Sequence, residues 1–134
     1  MTLRFVLIPT TMFALAACAT ENAMPEAEEG RVLFVQNCAA CHGSDAKGGS
    51  LADGQRAPDL TRIAERNGGV LPRAQVLSQI DGYGRGKAPA SVMPEFGALL
   101  EGDTVPVEVD GTLTPTPRPL AALLAYLESI QVPG

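Results

Sequence analysis

Cys38-Ala39-Ala40-Cys41-His42 is the segment around which the remainder of this chain must fold. It has the form C-x-x-C-H, through which a c-type haem is covalently attached. Two thiols three positions apart lie on the same side of a helical turn, so each can form a thioether bond with one haem vinyl group. The imidazole of His42 then offers one nitrogen to the iron, and its second ring nitrogen needs a partner elsewhere in the protein. His42 is the single histidine of the sequence.

The same residues fit two other kinds of site less well. A C-x-x-C pair also serves as a redox dithiol in thioredoxin-like proteins, but there it adjoins a β-α-β unit, and no such pattern surrounds Cys38. Two cysteines and a histidine would supply three of the four ligands of a structural zinc site. The sequence has no second C-x-x-C or H-x-x-H pair to complete that site. We therefore interpret the segment as the attachment site of one haem c, bound through Cys38 and Cys41.

The first 17 residues have the features of a secretory signal peptide. Arg4 is followed by a mostly apolar stretch over 5–15 and then by small residues. The stretch is shorter than the roughly 20 residues of a membrane-spanning helix, and Pro9 interrupts it. We therefore expect export, with the haem attached on the periplasmic side of a bacterial membrane.

Cys18 is the third cysteine and takes no part in the haem motif. The sequence Leu15-Ala16-Ala17-Cys18 resembles the lipobox of bacterial lipoproteins, in which the cysteine is acylated and becomes the first residue of the mature chain. Several acyl chains together anchor a protein stably. We predict that residues 18–25 are a lipid anchor and a flexible tether to the membrane. The alternative is cleavage at an A-x-A-like site around Cys18, which would release a soluble periplasmic protein.

Residues 26–134 have the length of one small domain. Aromatic residues make up 4% of the sequence and tryptophan is absent, so a buried haem would supply bulk that the side chains lack. Loss of the signal peptide leaves nine basic and 15 acidic side chains. The resulting negative charge argues against nucleic acid as a partner. It suits a protein partner with a basic patch, although it could also serve solubility alone.

Apolar residues at helical spacing predict four helices in this domain. The predicted helices begin near Pro25, Asp59, Pro72 and Thr116 and end near Cys38, Gly69, Gly82 and Ile130, respectively. Asp59 and Thr116 are the expected N-caps of the second and fourth helices. Gly30 lies inside the first helix, where glycine costs about 1 kcal/mol relative to alanine. We expect Gly30 to permit the close approach of another backbone.

Four signals in this order resemble class I c-type cytochromes. They are C-A-A-C-H after a short helix, A-P-D-L at 57–60, M-P at 93–94 and L-A-A-L-L-A-Y-L at 120–127. The resemblance covers most of the mature chain, from Gly30 to Ile130. It implies a small all-α fold of about four short helices around one haem, with the first and last helices crossing at Gly30 and Tyr126.

The resemblance also implies the second axial ligand and the surroundings of the first. Methionine is the family's usual second ligand, because a thioether stabilises ferrous iron and raises the potential. Met24 lies in the tether, so Met93 is the candidate, with an ordinary packing role as the alternative. The carbonyl of Pro58 would accept the second N–H of His42 and fix its orientation. Leu60 would pack on the haem face, or simply be a helix residue.

Residues 82–87 form a glycine-rich segment that contains Tyr83 and Arg85. The G-x-x-x-x-G-K-[ST] pattern of a phosphate-binding loop is absent there. We expect Tyr83, Arg85 or Arg56 to bond a haem propionate by a charge-assisted hydrogen bond. Solvent exposure without such a bond is the alternative.

A β-hairpin insertion is predicted near 105–115. Valines alternate at 105, 107 and 109 before Asp110-Gly111, a pair typical of a two-residue hairpin turn. Pro106 and Pro115 would confine such strands to an edge or shorten them. The nearby acidic side chains would form a docking surface for a partner; they are Glu101, Asp103, Glu108 and Asp110. The alternative is a solvated insertion of the chain that binds no partner.

Two tightly held axial ligands would leave the iron no open position for a substrate, so the resemblance implies a carrier of single electrons rather than an enzyme. Its partners would be redox proteins, either membrane respiratory complexes or a dehydrogenase. Two alternatives stay open. One is a subunit of a dehydrogenase or a peroxidase-like haem enzyme, and the other is a sensor in which Met93 leaves the iron for a gas ligand.

Overall fold

The computed structural model describes residues 23–52, 54–83 and 93–133. The helices in these ranges are α1 (Ala27–Asn37), α2 (Ala39–His42), α3 (Ile63–Arg66), α4 (Arg73–Asp81) and α5 (Arg118–Ser129). The strands are β1 (Gly49–Ser50), β2 (Arg56–Ala57), β3 (Thr104–Val109) and β4 (Thr112–Pro117), and 3-10 turns span Leu60–Arg62 and Gly97–Leu99. No helix of the described residues combines the length and apolar character needed to cross a membrane. The predicted signal peptide and Cys18 lie outside the described residues.

The crossing of α1 and α5 organises the core. A Cβ built on Gly30 would overlap the backbone carbonyl of Ala122 and lie 2.7 Å from the Cβ of Tyr126. Only a glycine therefore permits this approach, which confirms the predicted contact between the first and last helices. One turn further along α1, the ring of Phe34 packs on that of Tyr126 with 5.1 Å between centroids.

The two middle helices agree with the sequence pattern. The Asp59 carboxylate accepts the backbone N–H of Thr61 at 2.9 Å and so caps the 3-10 turn that leads into α3. Pro72 precedes α4, and Gly82 ends it with φ of +96°, a left-handed conformation that suits glycine. Along α4, Val76, Leu77 and Ile80 are buried.

The predicted N-cap role of Thr116 is wrong. Thr116 is buried within β4, where it pairs with Val105, and its hydroxyl donates to the carbonyl of Thr114 at 3.1 Å. The strand continues to Pro117, so α5 begins at Arg118 without a side-chain cap. Instead, the backbone N–H of Arg118 donates to the carbonyl of Asp103 at 2.8 Å.

The predicted hairpin is confirmed, with β3 and β4 joined at Asp110-Gly111. Both turn residues have positive φ, +49° and +82°, as a type I′ turn requires. The alternation of an antiparallel ladder places the pair Pro106 and Pro115 at a non-hydrogen-bonded position. Each strand therefore keeps its full six residues. The outer edge of β3 lacks one N–H that could pair with another chain, and that of β4, which also contains Pro117, lacks two. Such an edge resists strand addition.

The expected all-α class is accurate only in part. Helices form most of the framework, but the described residues also contain two antiparallel strand pairs. Of these, β3 and β4 were predicted, and the short pair of β1 and β2 was not. With two residues in each strand, that pair has no alternating apolar pattern that could have signalled it.

Candidate functional site

The C-x-x-C-H segment opens into a cavity of about 560 Å³. This volume lies within the range of roughly 300–1,000 Å³ that is usual for small-molecule and cofactor sites. All five helices contribute residues to its wall, much of which is apolar. The apolar lining residues are Phe34, Leu51, Ala57, Pro58, Leu60, Ile63, Pro72, Val76, Ile80, Pro94, Phe96, Leu123 and Leu127. A flat, mainly apolar ring system is the kind of group that such a wall accommodates.

Both cysteines of the motif line this cavity. Cys38 ends α1 through a bond from its N–H to the carbonyl of Phe34 at 2.8 Å, and α2 then carries Cys41 and His42 on one turn. Burial raises the pKa of the Cys38 thiol to about 11, with a smaller contribution from nearby Cys41. A redox dithiol needs a lowered thiol pKa, so the environment of Cys38 disfavours that alternative.

His42 is buried, with 8% of its surface exposed, and it also lines the cavity. Its Nδ1 lies 3.5 Å from the carbonyl oxygen of Pro58, the contact that the resemblance implied. An N–H at Nδ1 would donate to that carbonyl and leave Nε2 as the nitrogen available to a metal.

The unpredicted pair of β1 and β2 explains how Pro58 reaches His42. Gly49 pairs with Ala57 in this hairpin, which returns the chain to α2 immediately before Pro58. Gly48 has φ of +83°, and a Cβ there would overlap the carbonyl of Ala57 and lie 3.0 Å from the carbonyl carbon of Pro58. The N–H of Gly48 donates to the carbonyl of His42 at 2.8 Å. A glycine at 48 thus lets the two segments close on each other.

Met93 lines the same cavity from a different part of the chain. Three residues later, the N–H of Phe96 donates to the carbonyl of Ile80 at 3.0 Å, which holds this stretch against the last turn of α4. The Nε2 atom of Gln79, also on that turn, lies 3.9 Å from the Met93 sulfur. The cavity therefore brings together the imidazole, the two thiols and one thioether that the sequence singled out.

The remaining predicted residues have mixed positions. Leu60 and Arg56 line the cavity. Tyr83 is 80% exposed and does not contribute to the lining that the described residues provide. Arg85 lies outside the described residues. Of the three residues predicted to bond a haem propionate, Arg56 is the one that lines the cavity among the described residues.

Polar residues that the sequence reasoning missed also line the cavity: Asn37, Gln55, Arg66, Asn67, Gln75 and Gln79. The pattern held a signal for two of them. Gln75 and Gln79 are four residues apart, and each directly precedes a buried residue of α4, so both had to lie at the edge of its apolar face.

The described residues contain no group of three or more His, Cys, Asp or Glu side chains that could hold a metal ion. An apolar cavity, two adjacent thiols, a buried imidazole with an oriented ring and a thioether do fit a covalently attached haem with one nitrogen and one sulfur ligand.

Comparison with known proteins gives an independent result. The sequence profile of the cytochrome c family matches residues 27–131. The cbb3-type cytochrome c oxidase subunit CcoP of Rhodobacter capsulatus is 40% identical over 77 residues, which are 58% of this chain and 23% of that protein. The chain thus matches about a quarter of the length of this relative. No solved structure gives a significant match.

Proposed function

The chain belongs to the cytochrome c family, as a class I c-type cytochrome, and from that premise we propose that it is an extracytoplasmic carrier of single electrons with one haem c. The observation that carries this proposal is the shared cavity: Cys38, Cys41, His42 and Met93 all line it. In the proposal, the two cysteines would form the thioether bonds to the haem, and His42 and Met93 would supply the nitrogen and the sulfur that hold the iron.

The bound haem would supply the one-electron chemistry. The protein's own residues would set its conditions. Pro58 would hold the His42 ring through the Nδ1 contact and so orient its other nitrogen. Phe34, Leu123 and Leu127 would keep water from the cavity, and a low-dielectric wall favours the less charged ferrous state. Two protein ligands on the iron would leave no position for a substrate, so electrons alone would be exchanged.

A respiratory complex in the membrane is the partner class that we propose. The relative's printed name makes it a subunit of a cytochrome c oxidase, which favours an oxidase over a soluble dehydrogenase as the redox partner. A lipid anchor at Cys18 on the periplasmic side would confine the carrier to the same membrane surface and raise its effective concentration there. Residues 18–25 would be the tether between the anchor and the cytochrome domain at 26–134.

The same comparison favours a second candidate function, that of an electron-transfer domain resident in such a complex. The two differ in whether the chain purifies alone or remains bound to partner subunits after extraction in a mild detergent. Retention in an oxidase-sized assembly would favour the resident domain, and release as a single chain would favour the shuttle.

The haem attachment is tested by expression in a host with c-type cytochrome maturation, followed by denaturing electrophoresis and a stain for haem. Wild type should retain its haem after denaturation, and Cys38→Ala and Cys41→Ala should lose much or all of it. Cys18→Ser is the matched control, because it removes a thiol that the proposal assigns to the lipid. It should keep the haem and leave the membrane fraction. A wild-type protein without covalent haem would contradict the proposal.

The axial ligands separate the carrier from the enzyme and sensor alternatives. The reduced carrier should not bind carbon monoxide at neutral pH, because Met93 fills the sixth position. Met93→Ala should bind it readily. Rapid carbon monoxide binding by the reduced wild type would contradict the carrier function and favour a peroxidase-like protein or a gas sensor.

A further inference from the structure

The side chain of Gln131, which follows α5, is inserted into the turn that leads into α3. Its Nε2 donates to the carbonyl of Leu60 at 2.9 Å, and its Oε1 accepts the N–H of Ala64, also at 2.9 Å. In a continuous helix, the N–H of residue 64 would donate directly to the carbonyl of residue 60. The carboxamide of Gln131 therefore replaces one helical hydrogen bond with two bonds that pass through a side chain.

This insertion coincides with a break in the helix. The 3-10 turn ends at Arg62, whose φ of −118° and ψ of +23° depart from helical values, and α3 begins at Ile63. A side chain that enters the ladder of helical hydrogen bonds is a recognised cause of such kinks. A helix of four residues, such as α3, is also too short to be stable alone. The shape of this turn therefore depends on Gln131.

Two further bonds connect the turn to α5. The Nε2 of Gln131 also donates to the carbonyl of Leu127 at 2.7 Å, and the N–H of Val132 donates to the carbonyl of Thr61 at 2.9 Å. Helix α5 is in turn packed on α1 at the Gly30 crossing. Gln131 thus joins the turn at 60–64 to the helix crossing that organises the core.

The turn also supports the residues around His42. Leu60 and Ile63 line the cavity. Two residues before Leu60, the carbonyl oxygen of Pro58 lies 3.5 Å from the His42 Nδ1. The N–H of Leu60 donates to the carbonyl of Ala46 at 2.8 Å, so the chain beside Pro58 is held from two sides. Loss of the kink would change the path of the chain here and shift the Pro58 carbonyl relative to the imidazole.

We infer that Gln131 is a positioning residue for the haem site: its carboxamide holds the kinked turn at 60–64, and through that turn it keeps the Pro58 carbonyl on the ring of His42. Gln131 acts at a distance, because it is not among the described residues that line the cavity. The inference rests on the proposed function, since it requires His42 to be a ligand of the iron.

Two variants separate the parts of this contact. Gln131→Leu removes every hydrogen-bonding group of the carboxamide. Gln131→Glu keeps an oxygen that can accept the Ala64 N–H, but an ionised carboxylate has no hydrogen to donate to the carbonyls of Leu60 and Leu127. Gln36→Leu and Gln36→Glu are the matched controls, because Gln36 is an exposed residue of α1. They make the same chemical changes outside the turn.

Proton NMR of the ferrous holoprotein measures hydrogen exchange at the His42 Nδ1 and at backbone amides, and urea unfolding measures global stability. Relative to the controls, both Gln131 variants should exchange the His42 Nδ1–H and the Ala64 amide about tenfold to a hundredfold faster than any change in global unfolding explains. Two or three hydrogen bonds are lost, and each changes an equilibrium constant by about 2- to 13-fold. The Phe34 amide on α1 should follow global stability alone.

The wild type separates the two ways in which the inference could fail. If the wild type holds no covalent haem, the proposed function and this inference both fall. If it holds the haem but its His42 Nδ1–H is unprotected, or the Gln131 variants match the Gln36 controls, the proposed function stands and the role of Gln131 is overturned. If Gln131→Leu yields no holoprotein, the comparison of Gln131→Glu with Gln36→Glu decides between the same two results.

Discussion

Replacement of Gly30 by alanine tests the helix crossing that supports the cavity. In an isolated helix this change is favourable by about 1 kcal/mol, because glycine is a poor helix former. Here the new Cβ would overlap the carbonyl oxygen of Ala122, and it would lie 2.5 Å from the carbonyl carbon of that residue and 2.7 Å from the Cβ of Tyr126. Ordinary van der Waals contacts are about 3.5–4.0 Å, so α1 and α5 would have to separate by more than about 1 Å.

The expected net effect is destabilisation by about 2 kcal/mol. Overpacking in a well-filled core costs about 1–3 kcal/mol, and more is expected where the obstruction is backbone, which cannot change rotamer. This cost exceeds the gain in helix propensity. For a domain of this size, 2 kcal/mol corresponds to a fall in Tm of roughly 8 °C. Because Phe34 lies one turn along α1 and lines the cavity, the haem absorption spectrum should change as well.

Thermal unfolding of the holoprotein, followed by circular dichroism and by haem absorbance, measures this effect. Val32→Ala is the control, since Val32 lies on α1 with 43% of its surface exposed. That variant should stay within about 0.5 kcal/mol of wild type. A Gly30→Ala protein that melts at or above the wild-type temperature would show that the helix preference outweighs the crossing, and the packing argument would be refuted.

Three further predictions concern the supports of the site. Hydrogen bonding from the Thr61 side chain lowers the pKa of Asp59 in the folded protein below its ordinary value of 3.8. The stability that this carboxylate adds should therefore be complete above pH 3.8 and be lost as the pH falls through the folded-state pKa. In urea titrations, the difference in unfolding free energy between wild type and Asp59→Ala should vanish in strong acid. Arg73 contacts Glu128 at 2.6 Å and Glu108 at 3.0 Å, and about a third of its side chain is exposed. Arg73→Ala should lower the unfolding free energy by about 1 kcal/mol in chemical denaturation. A loss of stability that is unchanged in 1 M salt would contradict its ionic origin. In thermal melts, Gly48→Ala should destabilise the holoprotein by about 2 kcal/mol more than Gly54→Ala. Both glycines have positive φ, but only a Cβ at position 48 would meet backbone atoms. Equal effects of the two substitutions would refute the close approach of position 48 to Pro58.

The parts of the fold that the sequence predicted are those with a strong local signal. The capping carboxylate of Asp59, the terminal glycine of α4 and the type I′ turn at Asp110-Gly111 each act within a few residues. Gly30 was predictable for a different reason, because a glycine within a helix has a cost that some contact has to offset. These features need no knowledge of the distant chain.

The features that were missed depend on pairing between distant segments. Thr116 has the chemistry of an N-cap, but its pairing with Val105 extends β4 past it and delays the start of α5 by one residue. The hairpin of β1 and β2 is held by the closure of Gly48 on the Ala57 carbonyl. Neither the register of one nor the closure of the other is visible in local composition.

The predicted acidic docking surface shows the same dependence. Glu108 accepts the N–H of Gly111 at 2.6 Å and binds Arg73 at 3.0 Å. This carboxylate thus stabilises the hairpin and ties it to α4, so it is partly engaged inside the molecule. A charge read from the sequence reports how many such groups exist, whereas the fold decides which of them face a partner.

The near-infrared spectrum of the ferric protein measures whether His42 and Met93 bind the same haem iron. A sulfur-to-iron charge-transfer band should be present in the wild type, persist in Met24→Ala and disappear in Met93→Ala, with the low-spin spectrum lost in that variant as well. A wild-type protein without the band, or a Met93→Ala protein that keeps it, would show that Met93 is not a ligand of the iron.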